Sequence, residues 1–255
     1  MSLHPLGQTR TCVMTDHAII GTDSHVPSPI HAWTETTGVM LISPSMGAVH
    51  KPDFAMYLVD LDASSRLETS GNGIQRVIIT LEGELTVDGN PIPAQSYVYL
   101  PGQSKLTCHA AVHAKCLVFE KAFVPLPGQS PPDFRFGAIA DVPAEPFLGD
   151  EDARLACLLP DDPSFDIAVN VFTYQSGAAL PFVETHIMQH GLYMTAGQGV
   201  YRLADSWYPV AAGDAIWMAS YCPQWFVAMG KQPAQYIYYK DVHRDHLSPI
   251  PNALK

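Results

Sequence analysis

An all-β chain folded as two similar barrels or sandwiches is the fold class this sequence predicts, and three observations predict it. Short runs rich in Val, Ile, Tyr and Phe recur between turn residues: "QRVIITLEG", "SYVYLPG", "KCLVFEK", "GLYMTAGQG", "DAIWMAS" and "AQYIYYK". β-Branched and aromatic side chains suit a pleated, half-buried surface, and many such runs divided by turns indicate a sandwich or barrel. Helical periodicity is hard to find, and 18 glycines and 22 prolines are spread along the chain. Two segments also share one pattern. Residues 77–101, "VIITLEGELTVDGNPIPAQSYVYLP", and 193–219, "YMTAGQGVYRLADSWYPVAAGDAIWMA", each read strand, Gly, strand, polar turn, Pro, link, strand. Each is followed by another apolar strand, "CLVFEKAF" or "AQYIYYKD".

A repeat so far apart in the chain suggests two β-domains, although any two β-meanders share some of this pattern. We expect an N-terminal domain with an N-terminal arm over 1–125. A linker and a second domain then occupy 126–255. The Pro- and Gly-dense stretch 124–146 reads as a connector.

With 255 residues, 47% hydrophobic and 15% charged, the chain can bury a sizeable core and is not disordered. No apolar run reaches the ~18 residues of a membrane span, and no apolar h-region marks a secretory signal. A net charge of −11 without basic runs argues against nucleic acid. Five scattered cysteines without a C-x-x-C form neither a disulfide framework nor a zinc finger. The expectation is a cytoplasmic protein that binds neither membrane nor nucleic acid. Exposed strand edges and the apolar arm suggest a homo-oligomer.

The densest chemistry lies in "PFVETHIMQHGLYMTAGQG", residues 181–199. On a strand, Glu184 and His186 share one face, whereas His190 would be about 13 Å further along. Metal ligands converge to within ~2.0–2.2 Å of one ion. A single site therefore requires the chain to turn between His186 and His190, with Gly191 easing the turn. Isolated histidines are more often hydrogen-bonded surface residues than ligands. Context favours the metal, because E-x-H-x3-H-x6-G resembles the first cupin motif, G-x5-H-x-H-x3,4-E-x6-G. Glu184 stands at the first His position, His186 keeps the second, and His190 replaces the Glu. Gly177 and Gly197 bracket the motif, with one extra residue in the first spacer. The second cupin motif would be "ASYCPQWFVA", with Gln224 at its His position. This resemblance implies a bicupin, two tandem jelly-roll barrels, with Glu184, His186, His190 and Gln224 as the ligand set.

Such a set leaves a divalent ion with one net positive charge and is free of thiolate. It suits Mn²⁺, with Fe²⁺, Ni²⁺ or Zn²⁺ as alternatives, and it attracts an anion. In the first repeat, Arg76, Asn72 and Ser70 occupy the positions of His190, His186 and Glu184, and Leu106 falls near that of Gln224. That domain is expected to be metal-free. His4, His17, His25, His31, His50, His109, His113, His243 and His246 show no ligand spacing and read as bystanders.

The resemblance extends to one family. "TDHAIIGTDSHVPSPIHAWTETTGVMLISPSMGA" in the arm resembles (S)-ureidoglycine aminohydrolases. So do "ETHIMQHG", "GQGVYRLADSWYPVAAGDAIWMASYCPQW" and "YIYYKDVHRD" in the second half. The Gln-bearing ligand permutation is unusual among cupins. Membership implies Mn²⁺-dependent hydrolysis of (S)-ureidoglycine, a small anionic ureido substrate, to (S)-ureidoglycolate and ammonia in purine (allantoin) catabolism. Tyr201, Tyr236 and Lys240 match positions around the substrate, and Glu120 more loosely matches an acidic contact. Lys240 suits a carboxylate; Lys240 and Glu120 are the candidate catalytic groups. Against these roles, strand tyrosines are common packing residues, and Lys240 could mark a strand's exit into solvent. Trp207, Trp217 and Trp225 read as core or interface. Gln75 stands where the family pattern leads one to expect an acid.

Two other classes stay open at this point. One is a metal-dependent cupin dioxygenase or isomerase, which needs open metal positions and, for oxygen chemistry, a redox metal. The other is a non-enzymatic small-molecule-binding bicupin. Fold alone does not choose among them.

Overall fold

The computed structural model describes residues 9–46 and 50–245 of the 255. In chain order the strands are β1 (Cys12–Val13), β2 (His17–Ile20), β3 (Ser28–Pro29), β4 (Thr37–Ile42), β5 (Ala55–Asp62), β6 (Arg66–Glu68), β7 (Ile74–Val87), β8 (Asn90–Pro93), β9 (Ser96–Leu100), β10 (Thr107–Ala122), β11 (Arg135–Ala138), β12 (Ala144–Phe147), β13 (Asp150–Cys157), β14 (Ile167–Tyr174), β15 (His190–Ala196), β16 (Gln198–Leu203), β17 (Ser206–Ala211), β18 (Ala215–Met218), β19 (Gln224–Met229) and β20 (Ala234–Asp241). Each of the six apolar runs picked out above contributes one of these strands. Among the described residues, no helix is long and apolar enough to cross a membrane.

The strands form three sheets. A nine-stranded sheet runs β11-β9-β7-β10-β5-β4-β3, with β6 added to β10 and β8 to β7. It folds round on itself as the first barrel. The second barrel combines an eight-stranded sheet, β1-β2-β18-β15-β20-β14-β13-β12, with a three-stranded sheet, β17-β16-β19.

Strand alternation divides the apolar residues among three cores. On β10, Cys116 and Val118 point into the first barrel, while Leu117 and Phe119 point outward. On β20, Tyr236 and Tyr238 point into the second barrel, while Ile237 and Tyr239 point outward. The outward sets meet in a seam with Ile42, Phe54, Val77, Tyr99, Val169 and Trp217. These strands are covered on both faces. This is why they read as continuous apolar runs and not as clean alternation.

The internal repeat is visible in the backbone. Gly83 and Gly197 stand at matching places and both take left-handed φ, 70° and 71°. A Cβ at Gly83 would lie 2.1 Å from the His113 carbonyl oxygen, and one at Gly197 2.4 Å from that of Pro233. Both positions therefore need glycine, for close approach to a neighbouring strand as well as for φ. The copies differ around this point. β7 runs unbroken through Gly83, whereas the second copy splits at Gly197 into β15 and β16.

Strand pairing crosses the expected 125/126 boundary twice. β2, in the arm assigned to the first half, pairs with β18 and so extends the sheet of the second barrel. β11, inside the stretch read as a connector, pairs with β9 of the first barrel along Arg135–Ala138. The density of Pro and Gly in 124–146 hid this strand, because a short edge strand needs few ladder bonds.

The arm is also held by charge. Both guanidinium nitrogens of Arg10 reach the carboxylate of Asp214, at 2.5 and 2.8 Å. Asp214 is fully buried, while Arg10 is partly exposed. The Asp214 carboxylate also accepts the Ala211 N–H at 2.8 Å. Arg10→Ala leaves a buried carboxylate with one partner fewer, at a cost of about 1–3 kcal/mol. Thermal unfolding should shift down by roughly 2–4 °C per kcal/mol. An unchanged Tm would mean that the arm is not held by this pair.

Candidate active site

The second barrel holds a cavity of about 200 Å³. Glu184, His186, His190, Gln224, Tyr201, Tyr236 and Lys240 all line it, together with Tyr238, Met188 and an apolar wall of Phe147, Leu155, Phe172 and Leu180. Seven of the eight residues singled out from the sequence thus share one cavity.

The backbone explains the convergence. Glu184 and Gln224 form an isolated antiparallel bridge, with N–H···O distances of 2.8 and 2.9 Å in the two directions. This places side chains forty residues apart in sequence side by side. Between Glu184 and β15 the chain leaves strand geometry and bends at Ile187. The bend draws His190 back until its ring stacks on that of His186, with centroids 4.7 Å apart. The expected turn is therefore present. Gly191 serves a different purpose from the one expected. It lies within β15, without left-handed φ, and its missing side chain admits Phe54 of the first barrel. A Cβ there would sit 2.3 Å from the Phe54 ring.

The two histidines differ in how their ring nitrogens are engaged. The Met188 carbonyl can only accept, so the His186 Nδ1–H donates to it at 3.0 Å. This fixes the tautomer and leaves Nε2 as the free lone pair, as in metal sites. The amide of Gln224 lies 2.8 Å from that Nε2. A half-turn of the amide exchanges its nitrogen and oxygen ends and would present the oxygen to the same point. Tyr201 donates its hydroxyl to the Gln224 amide at 3.4 Å. His190 Nε2 is buried and has no hydrogen-bond partner. Buried polar atoms are rarely left so. The donor set of two imidazoles, one carboxylate and one amide fits a divalent ion and accounts for that orphan atom.

Burial also sets the protonation states. It lowers the pKa of His186 and lowers that of His190 well below the usual value, with Lys240 adding to both effects. Both imidazoles are therefore neutral near pH 7, as ligation requires. Burial raises the Glu184 carboxyl, and Lys240 opposes this. Burial likewise raises the Tyr201, Tyr236 and Tyr238 phenols, which remain protonated hydrogen-bonding groups and do not act as bases. Tyr236 pairs with Tyr174 at 3.0 Å. Tyr221 adopts a left-handed φ of 62°, and its N–H donates to the His186 carbonyl at 2.7 Å. That strained residue ties the loop of Gln224 to the ligand segment.

Tyr238 was missed in the sequence. Its ring stacks on His190 at 5.4 Å, and its hydroxyl accepts from Asn170 at 3.0 Å. The signal was present, since Tyr238 lies between Tyr236 and Lys240 at the period-2 spacing of one strand face.

Glu120 requires a correction. It does not line the cavity but lies on β10 of the first barrel. There its carboxylate accepts from Arg76 Nε at 2.7 Å and from the Tyr57 hydroxyl at 2.9 Å. The register shows what this position corresponds to. Glu120 pairs across strands with Arg76, and in the second copy Lys240 pairs with His190. Glu120 is thus the counterpart of Lys240 in the repeat. Where the second barrel has Lys240 and His190 at its cavity, the first has an internal ion pair.

Among the bystander histidines, His4 and His246 lie outside the described residues. His17 falls in a cluster of ligand-type atoms with Asp16 and Cys222. Both of its ring nitrogens are engaged, to Asp16 and to Tyr208, each at 2.8 Å. Trp217 is fully buried, as expected, whereas Trp207 is exposed.

Two tandem barrels, the second holding a cavity lined by these polar side chains, define the class as a bicupin. No family model matches the chain. A probable (S)-ureidoglycine aminohydrolase of Oryza sativa subsp. japonica is 38% identical over 94% of this chain and 78% of its own length. The (S)-ureidoglycine aminohydrolase of Arabidopsis thaliana is 36% identical over 94% and 80%. Among solved structures, a putative glyoxylate-induced protein of Pseudomonas aeruginosa superposes with a TM-score of 0.84 at 25% identity, covering 98% of this chain and 97% of that one. A cupin barrel protein of Leptotrichia buccalis shares the fold alone, with a TM-score of 0.60 at 10% identity, 88% of this chain and 96% of that one. The chain belongs to the (S)-ureidoglycine aminohydrolase family, hydrolases of non-peptide carbon–nitrogen bonds.

Two outcomes follow from the site. Gly191→Ala drives a methyl group into the Phe54 ring, which is stacked on Tyr239 at 4.0 Å and cannot yield freely. It should cost about 1–3 kcal/mol, read as a lower unfolding midpoint. Unfolded histidine binds its proton near pH 6.5, and the folded pKa of His190 lies lower. The unfolded state therefore holds more protons below that pH. Metal-stripped protein should lose stability as pH falls from 7 to about 5.5. Glu184 works in the opposite sense at lower pH. Tm against pH for wild type and His190→Leu isolates the histidine, because the variant should show the shallower decline.

Proposed function

We propose that the protein hydrolyses (S)-ureidoglycine to (S)-ureidoglycolate and ammonia, with Mn²⁺ held by Glu184, His186, His190 and Gln224. The observation that carries this reading is that these four donors line one cavity, with the His190 Nε2 buried and otherwise unpaired. The relatives are named for this substrate.

In the reaction the bond from the substrate's central carbon to its amino nitrogen breaks. A bond from that carbon to a water oxygen forms, and the amine leaves with the proton taken from water. A bound divalent ion supplies Lewis acidity and acidifies or positions water. The rest is assigned to the chain. Lys240 faces the cavity from β20 and is the positive group for the substrate carboxylate. Tyr201 and Tyr236, kept protonated by burial, orient the ureido and amino groups by hydrogen bonds. The wall of Phe147, Leu155, Phe172 and Leu180 limits bulk water and strengthens each polar contact. With Glu120 engaged elsewhere, Lys240 is the remaining candidate for proton transfer.

The test is ammonia release from (S)-ureidoglycine generated in situ, using metal-stripped protein reloaded with Mn²⁺. Release should require the metal and fall to the spontaneous rate in Glu184→Ala. Lys240→Met should raise KM through the lost carboxylate contact and lower kcat through the lost proton transfer. Mn²⁺ binding without ammonia release would reject the substrate assignment.

A further inference from the structure

We infer that the first barrel sets the geometry of the ligand segment through a polar clamp, in which Asp53 of the first barrel and Gln189 of the second are positioning residues. This inference rests on the metal-site reading above and gives the barrel without a site a part in the chemistry.

Gln189 lies between the ligands His186 and His190 and is gripped from several sides. Its backbone N–H donates to Asp241 Oδ1 at 2.6 Å. Its side-chain Oε1 accepts the Asp53 backbone N–H at 3.3 Å and the Trp217 indole N–H at 3.4 Å. Trp217 is fully buried and lies on β18, the strand beside β15.

Asp53 is the only one of these partners contributed by the first barrel, and it is fixed in turn. Its Oδ1 accepts the Tyr239 hydroxyl at 3.0 Å, and its Oδ2 lies 3.2 Å from Lys121 Nζ. Lys121 is nearly buried and also lies 3.4 Å from Asp166, which is fully buried. Asp166 accepts from Gln75 Nε2 at 2.6 Å and from the Val124 N–H at 3.0 Å. Gln75 Oε1 accepts the Tyr99 hydroxyl at 3.0 Å. This chain explains why Gln75 is not the expected acid. A carboxylate there would face Asp166 without a proton to donate.

The next residue, Phe54, completes the grip. Its ring stacks on Tyr239 and fills the space over Gly191, immediately after the ligand His190. The two-residue segment Asp53–Phe54 therefore holds the ligand segment at Gln189 and Gly191, on both sides of His190. Outer contacts of this kind orient ligands, and their loss typically weakens metal binding 10–100-fold.

The test uses the full chain. Gln189→Met keeps the volume but removes the acceptor, and Asp53→Ala removes the carboxylate that anchors the segment. Asp53 is partly exposed, so its truncation admits water and leaves no buried void. Mn²⁺ affinity is measured by calorimetry, and the bound ion's electron paramagnetic resonance line shape reports its ligand geometry. Each variant should weaken Mn²⁺ by about tenfold and broaden the line shape, with kcat falling and KM nearly unchanged. Ile92→Val, in the core of the first barrel away from the seam, controls for general destabilisation and should retain wild-type affinity.

Wild-type Mn²⁺ affinity and line shape in both clamp variants would overturn the inference. So would an equal loss in Ile92→Val, or a wild-type protein that binds no divalent ion. Wild type that binds Mn²⁺ but does not act on (S)-ureidoglycine removes the proposed substrate only, and the clamp is then judged on affinity alone.

Discussion

The rest of the structure depends on the burial of both faces of β10 and β20. Each strand sends alternate residues into its own barrel and the others into the seam. On β20 this puts Tyr236, Tyr238 and Lys240 at the cavity, with Ile237 and Tyr239 against the first barrel. The two faces cannot be adjusted independently. A slip of one residue would carry the cavity residues into the seam and the seam residues into the cavity. Site geometry and barrel docking are therefore set by one register.

The two barrels solve the same geometric problem in opposite ways. At the matching cross-strand pair, the second barrel has His190 opposite Lys240 and the first has Arg76 opposite Glu120. Like-signed or neutral groups leave room and a demand for negative charge. An Arg–Glu pair, closed by the Tyr57 hydroxyl, satisfies itself and occupies the space. A partly buried pair of this kind contributes little net stability against apolar packing, while removing one partner leaves the other charge unpaired. The first barrel thus retains the architecture of a site while its polar groups are paired internally.

Much of this was legible in the sequence, for identifiable reasons. The apolar runs gave the strands because both-face burial makes them conspicuous. That Glu184, His186, His190 and Gln224 share one cavity was legible because the first three are local and Gln224 occupies a motif position. Long-range pairing was less accessible. That β2 joins β18, or β11 joins β9, depends on contacts that no local pattern encodes. Glu120 was misplaced for a related reason. Its match to an acidic position of the family was a loose one, and a local match does not say which partner a strand carboxylate meets; here it meets Arg76. Gly191 was assigned a turn because glycine usually marks one, whereas the actual constraint is Phe54, more than a hundred residues away.

The pairing of β2 with β18 also bears on how the chain is made. The arm leaves the ribosome long before its partner strand does. β18 is itself flanked by β15, which pairs with β20 near the end of the chain. Until then the apolar residues Ala18, Ile19 and Ile20 have no sheet to join. The first barrel can gather its own strands during synthesis, but the second closes only once β20 has been made. Contacts this distant in sequence are slow to form. The arm thus lacks its sheet partner until β18 has been made, and completion of that sheet waits on strands far along the chain.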